Sequence, residues 1–206
     1  MRVDNAPMAS IHFTLRERCT GGEVPVEITD DLQHEDDVHI ATYAERSARW
    51  KYLPRWLKPA DLDRAWNWTL VTTRRTREKK SLPISIWVLR PTTTIDFGLR
   101  TFGVVILQEG NSPADGADLM HVNLLGVHPR CRSMGFSLLR RPGVVRGVAV
   151  ALLKFASDRA KTLGGSGTIG LDAVGRSKAL YARIGLARRS QGDKADGTLY
   201  CEGVIK

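Results

Sequence analysis

Two stretches of the chain carry residue types at spacings that allow chemistry. The first is Arg146-Gly147-Val148-Ala149, which runs on into Val150-Ala151-Leu152-Leu153. The first turn of a helix leaves backbone N–H groups unpaired and carries partial positive charge. Glycine and alanine keep side chains out of the way there, so a pyrophosphate can reach the backbone. Arg140, Arg141 and Arg146 would neutralise further phosphate charge. Small residues also permit tight helix–sheet packing, and Gly147 fits that role equally. The stretch lacks the Gly-Lys-Ser/Thr ending of a Walker loop and is no dinucleotide fingerprint.

The second stretch is Ser177-x-x-Leu180-Tyr181-x-x-x-Gly185-Leu186. A phenol that projects back toward strand ends is a candidate general acid. The alternative is a core tyrosine whose ring packs under a sheet with its hydroxyl at the edge.

The elements that must position these residues follow from periodicity. Residues 10–16 read as a strand before the Gly21-Gly22 break, and 30–68 as helical, interrupted by Pro54 and Pro59. Residues 84–89, 101–108 and 119–127 alternate or run apolar as strands, the last ended by Pro129. Residues 143–163 form the clearest helix: Val145, Val148, Leu152, Phe155, Ala156 and Arg159 keep a three-to-four spacing, and Gly164-Gly165 ends it. A short strand at 168–173, a short helix at 177–184 and a last strand at 199–205 complete the order. A helical crossover makes the strands on either side of 143–163 parallel, while short turns make the earlier strands antiparallel.

Composition bounds the reading. The chain has 206 residues, 42% apolar and 26% charged, as in a soluble globular domain. No window has the eighteen or so apolar residues of a membrane span, and the first residues have no apolar signal core. Three scattered cysteines, Cys19, Cys131 and Cys201, suit neither a disulfide framework nor a zinc cluster, so a reduced, cytoplasmic setting is expected. The formal charge is +9, and eight basic residues against Asp158 alone lie between Gly126 and Gly164. Such an excess favours a polyanion, whether nucleic acid, acidic lipid or a phosphorylated cofactor, or forms a solvated basic surface.

Taken together, the strand ending Val127-His128-Pro129, the helix start at Gly147, Leu152-Leu153-x-x-Ala156 and the Leu180-Tyr181 motif resemble the GNAT superfamily of acyl-CoA-dependent N-acetyltransferases, over roughly residues 82–190. That family's R/Q-x-x-G-x-G/A motif reads here Val144-Val145-Arg146-Gly147-Val148-Ala149, with valine in the basic position. A second frame, Arg132 to Ser137, ends in serine, and Pro142 would break its helix. In the later motif Val174 stands where the family has asparagine.

The resemblance implies an α/β (α+β) fold: a single GNAT-like domain, with a mixed, mostly antiparallel central sheet, two splayed parallel strands and flanking helices. Residues 1–81 would form the acceptor side, 82–190 the acetyl-CoA-binding core and 191–206 the C-terminal strand. It implies acetyl-CoA as co-substrate, no metal, a primary amine as acceptor, and often a homodimer. Leu125, Gly126 and Val127 would pair with the pantetheine arm, and Gly147, Val148 and Ala149 would hold the pyrophosphate, helped by Arg141 and Arg146. Tyr181 would protonate the leaving thiolate. The family's glutamate base is missing from 118–125, where His121 is the titratable residue, with Glu109 as the alternative. Trp50, Trp56, Trp66 and Trp68 among arginines would shape the acceptor side or form a core. Two other readings stand beside this one: a toxin-like acetyltransferase of aminoacyl-tRNA, and a catalytically silent GNAT-like module that binds nucleic acid or protein.

Overall fold

In the computed structural model, the residues described are 10–31, 84–93, 99–128, 131, 145–173, 178–194 and 198–205. The expected helices of 30–68, the tryptophan cluster, Arg141, Val144, Val174 and the frame starting at Arg132 lie outside them. The chain divides into two compact units: Met1–Thr76, Ile86–Val104 and Gly126–Val148 form one, and Arg77–Ser85, Val105–Leu125 and Ala149–Lys206 the other.

In the first unit the strands lie in the order β6-β1-β2-β3. These are β1 (Ile11–Glu17), β2 (Glu23–Thr29), β3 (Ile84–Pro91) and the two-residue β6 (Val145–Arg146). Their ladders are antiparallel. Strand β2 is an addition to the sequence reading. Its Val24, Val26 and Ile28 alternate into the core, but Pro25 interrupts the run and demotes it as a strand signal. The structure accommodates the proline by using its carbonyl, which accepts from the Thr92 N–H at 3.0 Å. Opposite β2, the run Ile86-Trp87-Val88-Leu89 is buried on both faces. Glu27 and Arg90 sit in register and pair at 2.6 Å.

The second unit has the order β4-β5-β7-β9-β8. Here β4 (Gly103–Asn111) leads into β5 (Asp118–Val127) through a turn closed by Ser112 and Ala117, with Gly116 at φ +73°. Strands β7 (Ile169–Ala173), β8 (Ala187–Arg188) and β9 (Leu199–Gly203) complete it. The β5–β7 ladder is parallel, and β7–β9 and β8–β9 are antiparallel. The mixed, mostly antiparallel sheet with one parallel pair is the expected class.

The crossover between β5 and β7 contains helix α1, Val148–Thr162, so the expected start at Gly143 is corrected. Val145 and Arg146 form β6 on the edge of β1 instead. The β-branched Val145 favours a strand, and Gly147 at φ +82° breaks any helix leading into it. Val145 therefore does not belong to the helical stripe. Within α1, Val148, Leu152, Leu153, Phe155, Ala156 and Ala160 are buried, and Lys154, Asp158 and Lys161 are exposed. Its end matches expectation: Gly164 at φ +91° donates to the Lys161 carbonyl and Gly165 to that of Ala160, a Schellman closure. Helix α2, Lys178–Arg183, follows β7.

Candidate active site

The first group of candidate residues lies at the β6–α1 junction. A Cβ built on Gly147 would meet nothing closer than Leu15 Cδ2 at 3.9 Å. Tight packing is therefore not why glycine stands here. The positive φ is the reason, because an L side chain is strained in that region. Open space in front of the backbone is what a phosphate would need. Arg146 and Gly147 are exposed and Val148 is buried.

The second group lies where the parallel pair ends. The β5–β7 register runs Met120↔Ile169, His121↔Gly170, Val122↔Leu171 and stops. Strand β5 nevertheless continues to Val127, and β7 to Ala173, which pairs with Leu199 of β9 on its other side. From Asn123 to Leu125, β5 thus has no ladder to β7 among the described residues. Gly126 is buried, and Leu125 and Val127 are half-buried.

Tyr181, 9% exposed, lies on α2. The motif around it has a local physical cause. The Leu186 N–H reaches the Tyr181 carbonyl at 3.0 Å and the Gly185 N–H that of Ala182 at 3.3 Å, with Gly185 at φ +104°. This is a second Schellman closure, with Leu186 as its buried apolar contact. Gly185-Leu186 therefore fixes the turn on which Tyr181 sits.

His121 lies on β5 in a row with Gly170 of β7 and Glu202 of β9. Its Nε2 is 3.2 Å from the Asn111 carbonyl oxygen. A carbonyl only accepts, so in the neutral ring Nε2 carries the proton and Nδ1 the lone pair. Glycine at 110 makes room for the ring: a Cβ there would lie 2.6 Å from His121 Cδ2. Glu109, the alternative base, is exposed on β4, and alternation turns it away from the face of Gln108 and Gly110.

No protein-family model matches the sequence, and no curated protein matches it. Solved structures do. The chain is similar to the PaiA N-acetyltransferase of Thermoplasma acidophilum, solved in complex with coenzyme A, at 13% identity and a TM-score of 0.52 over 87% of this chain and 99% of that one. It is also similar to FdhC, a nucleotide-linked sugar GNAT, at 11% identity and a TM-score of 0.53 over 94% and 91% of the two chains. The fold is that of the GNAT acetyltransferases.

On this GNAT fold the structure adds a polar network that the sequence reading does not contain. Glu202 is 4% exposed and accepts from Ser112 Oγ at 2.7 Å and Arg189 Nε at 2.9 Å. Next to it, Tyr200 is also 4% exposed, and its hydroxyl is buried beside the Glu202 carboxylate with no well-formed hydrogen bond among the described residues. Burial first, and then the Glu202 carboxylate, raise the Tyr200 pKa well above the ordinary value for a tyrosine. The ring centroids of Tyr200 and His121 are 6.3 Å apart. The alternating pattern of β9 (Tyr200, Glu202) was the one signal for this network in the sequence.

The raised Tyr200 pKa has a stability consequence. The folded state keeps this proton while the unfolded chain loses it near the ordinary tyrosine value of about 10. The contribution is therefore present below that pH and is lost as pH rises from there toward the folded pKa. Tyr200→Phe removes both the slope and a buried hydroxyl with no well-formed hydrogen bond among the described residues. The variant is expected to be neutral or up to about 1–2 kcal/mol more stable at pH 7, and flatter above pH 10, by urea titration. A loss of stability of more than about 0.5 kcal/mol in the variant would show that the hydroxyl makes a favourable hydrogen bond.

The second unit brings His121, Gly170, Tyr200 and Glu202 onto one sheet region and carries Leu125, Ala149 and Tyr181. The first unit carries Gly126, Val127, Arg146, Gly147 and Val148. Among the described residues no His/Cys/Asp/Glu group could hold a metal ion, and no helix is long and apolar enough to cross a membrane.

Proposed function

We propose that the protein is an N-acyltransferase that moves an acetyl group from acetyl-CoA to a primary amine by direct attack in a ternary complex. The carrying observation is the end of the β5–β7 ladder at Val122↔Leu171 while both strands run on. A parallel pair that separates leaves backbone groups able to hydrogen-bond an extended ligand. The GNAT fold and the open backbone at Gly147 support the same reading.

In this reading Leu125, Gly126 and Val127 hydrogen-bond the pantetheine arm. The Gly147, Val148 and Ala149 amides hold the pyrophosphate, with Arg141 and Arg146 adding charge. The amine nitrogen attacks the thioester carbonyl, and the carbon–sulfur bond breaks. Tyr181 gives its proton to the departing thiolate, and His121 takes one from the attacking nitrogen through Nδ1. Orientation of the two substrates supplies much of the rate. The whole chain acts as one GNAT-like domain, with residues 1–81 on the acceptor side, in the cytoplasm. The net charge of +9 supports a second reading, a GNAT-like module that binds nucleic acid without turnover.

The test is calorimetry with acetyl-CoA, CoA and ATP at low and moderate salt. Micromolar binding that prefers acetyl-CoA is expected. Equal, weak binding of every polyphosphate would overturn the enzyme reading.

A further inference from the structure

We infer that Arg16 of β1 and Arg146 of β6 form a two-arginine phosphate site, and that it takes the dianionic 3′-phosphomonoester of coenzyme A. The inference rests on the acetyl-CoA reading above and adds to it a residue, 130 positions away from Arg146 in sequence, that no motif contains.

The argument starts from register. β6 pairs antiparallel with β1, and Arg16 stands directly opposite Arg146. Directly opposed residues of an antiparallel pair share a face, with Cβ atoms about 5 Å apart. Like charges in that position are destabilising. On its other side Arg16 stands opposite Glu23 of β2, so one carboxylate shares the row. Here neither guanidinium has an ion-pair or hydrogen-bond partner among the described residues. The neighbouring Glu17 alternates to the other face, where its carboxylate accepts from Thr20. The first turn of α1, which begins two residues after Arg146, has no acidic residue either. A third guanidinium follows in the turn after β1: Arg18 Nε is buried with no hydrogen-bond partner among the described residues.

Both arginines of the pair are exposed, so an incoming anion can reach them. Two guanidiniums at this spacing match a phosphate well, because each can offer two parallel N–H donors to its oxygens. Two positive charges also match a phosphomonoester dianion better than the single charges along a phosphodiester. The pair is assembled only when β6 docks on β1. Gly147 at φ +82° then turns the chain from that edge into α1.

The experiment compares CoA with 3′-dephospho-CoA by calorimetry, in the wild type, Arg16→Gln and Arg146→Gln. The wild type is expected to bind CoA at least about tenfold more tightly than dephospho-CoA, as charge-assisted hydrogen bonds of this kind allow. Arg16→Gln is expected to close most of that gap while leaving dephospho-CoA affinity within about twofold. Without ligand, Arg16→Gln should melt close to wild type, because it relieves the opposition to Arg146 and gives up the attraction to Glu23 in the same row. Wild-type binding of CoA with the gap intact in Arg16→Gln overturns this inference and leaves the acetyl-CoA reading standing. Failure of the wild type to bind either compound overturns both. A loss confined to single-stranded RNA, with the CoA gap unchanged, also overturns it and points to nucleic-acid phosphate.

Discussion

Gly170→Ala is expected to destabilise the protein by about 3 kcal/mol, or roughly 6–12 °C in Tm for a chain of this size. A Cβ at this position would overlap the Tyr200 hydroxyl and lie 2.9 Å from its Cζ and 3.2 Å from Cε2. Neither side can yield easily. Gly170 is held by β5 through His121 and by β9 through Glu202. The Tyr200 ring is closed off on another side by Gly192, where a Cβ would lie 2.5 Å from Cδ1. A side chain trapped between two glycines has no rotamer to retreat into, and overpacking of this kind is felt in full. The check is a double-mutant cycle by urea denaturation. Tyr200→Phe in the Gly170→Ala background should return part of the loss, with a coupling of about 1–2 kcal/mol. Strict additivity of the two changes, or a Gly170→Ala cost within 0.5 kcal/mol of zero, would show that the hydroxyl does not occupy the glycine's space.

Tyr181→Phe is expected to lower kcat by about 10²–10³, with the KM for acetyl-CoA nearly unchanged. That is about 3–4 kcal/mol of transition-state stabilisation at 1.36 kcal/mol per tenfold. The ring stays in place, since Tyr181 is 9% exposed and phenylalanine keeps the packing. The Schellman closure at Gly185 holds the backbone turn through the Tyr181 carbonyl, not its side chain. Loss of rate therefore reports the phenol alone. The assay is thiol release with a panel of primary amines, alongside a melting curve to confirm folding. A weakly basic, preformed thiolate would not need the proton, and a variant within about threefold of wild type would remove Tyr181 from the acid role.

The parts of this protein that the sequence determined by itself are those whose causes are local. The end of α1 at Gly164-Gly165 and the turn at Gly185-Leu186 were legible because a glycine at positive φ closes hydrogen bonds only three and five residues back. The strands expected at 84–89 and 119–127, observed as Ile84–Pro91 and Asp118–Val127, and the parallel crossover between β5 and β7 were legible because branched apolar runs, a helical stripe and chain connectivity constrain them. Gly147 was visible as a special position, but sequence could not separate packing from backbone conformation. The 3.9 Å space around it and its φ of +82° did.

The remaining features depend on pairings between residues far apart in the chain. Val145 and Arg146 look like the first turn of a helix until β1, about 130 residues earlier, offers them an edge. That edge is what places Arg16 opposite Arg146. Pro25 hid β2, which needs β1 and β3 on either side to hold it extended. Ser112 and Glu202 are 90 residues apart and bond across the second unit. His121, Gly170, Tyr200 and Glu202 come from three strands, and none of them carries a motif. Local propensity fixes where a strand turns or a helix stops. Which buried tyrosine meets which glycine is set by register, and register is a property of the assembled sheet.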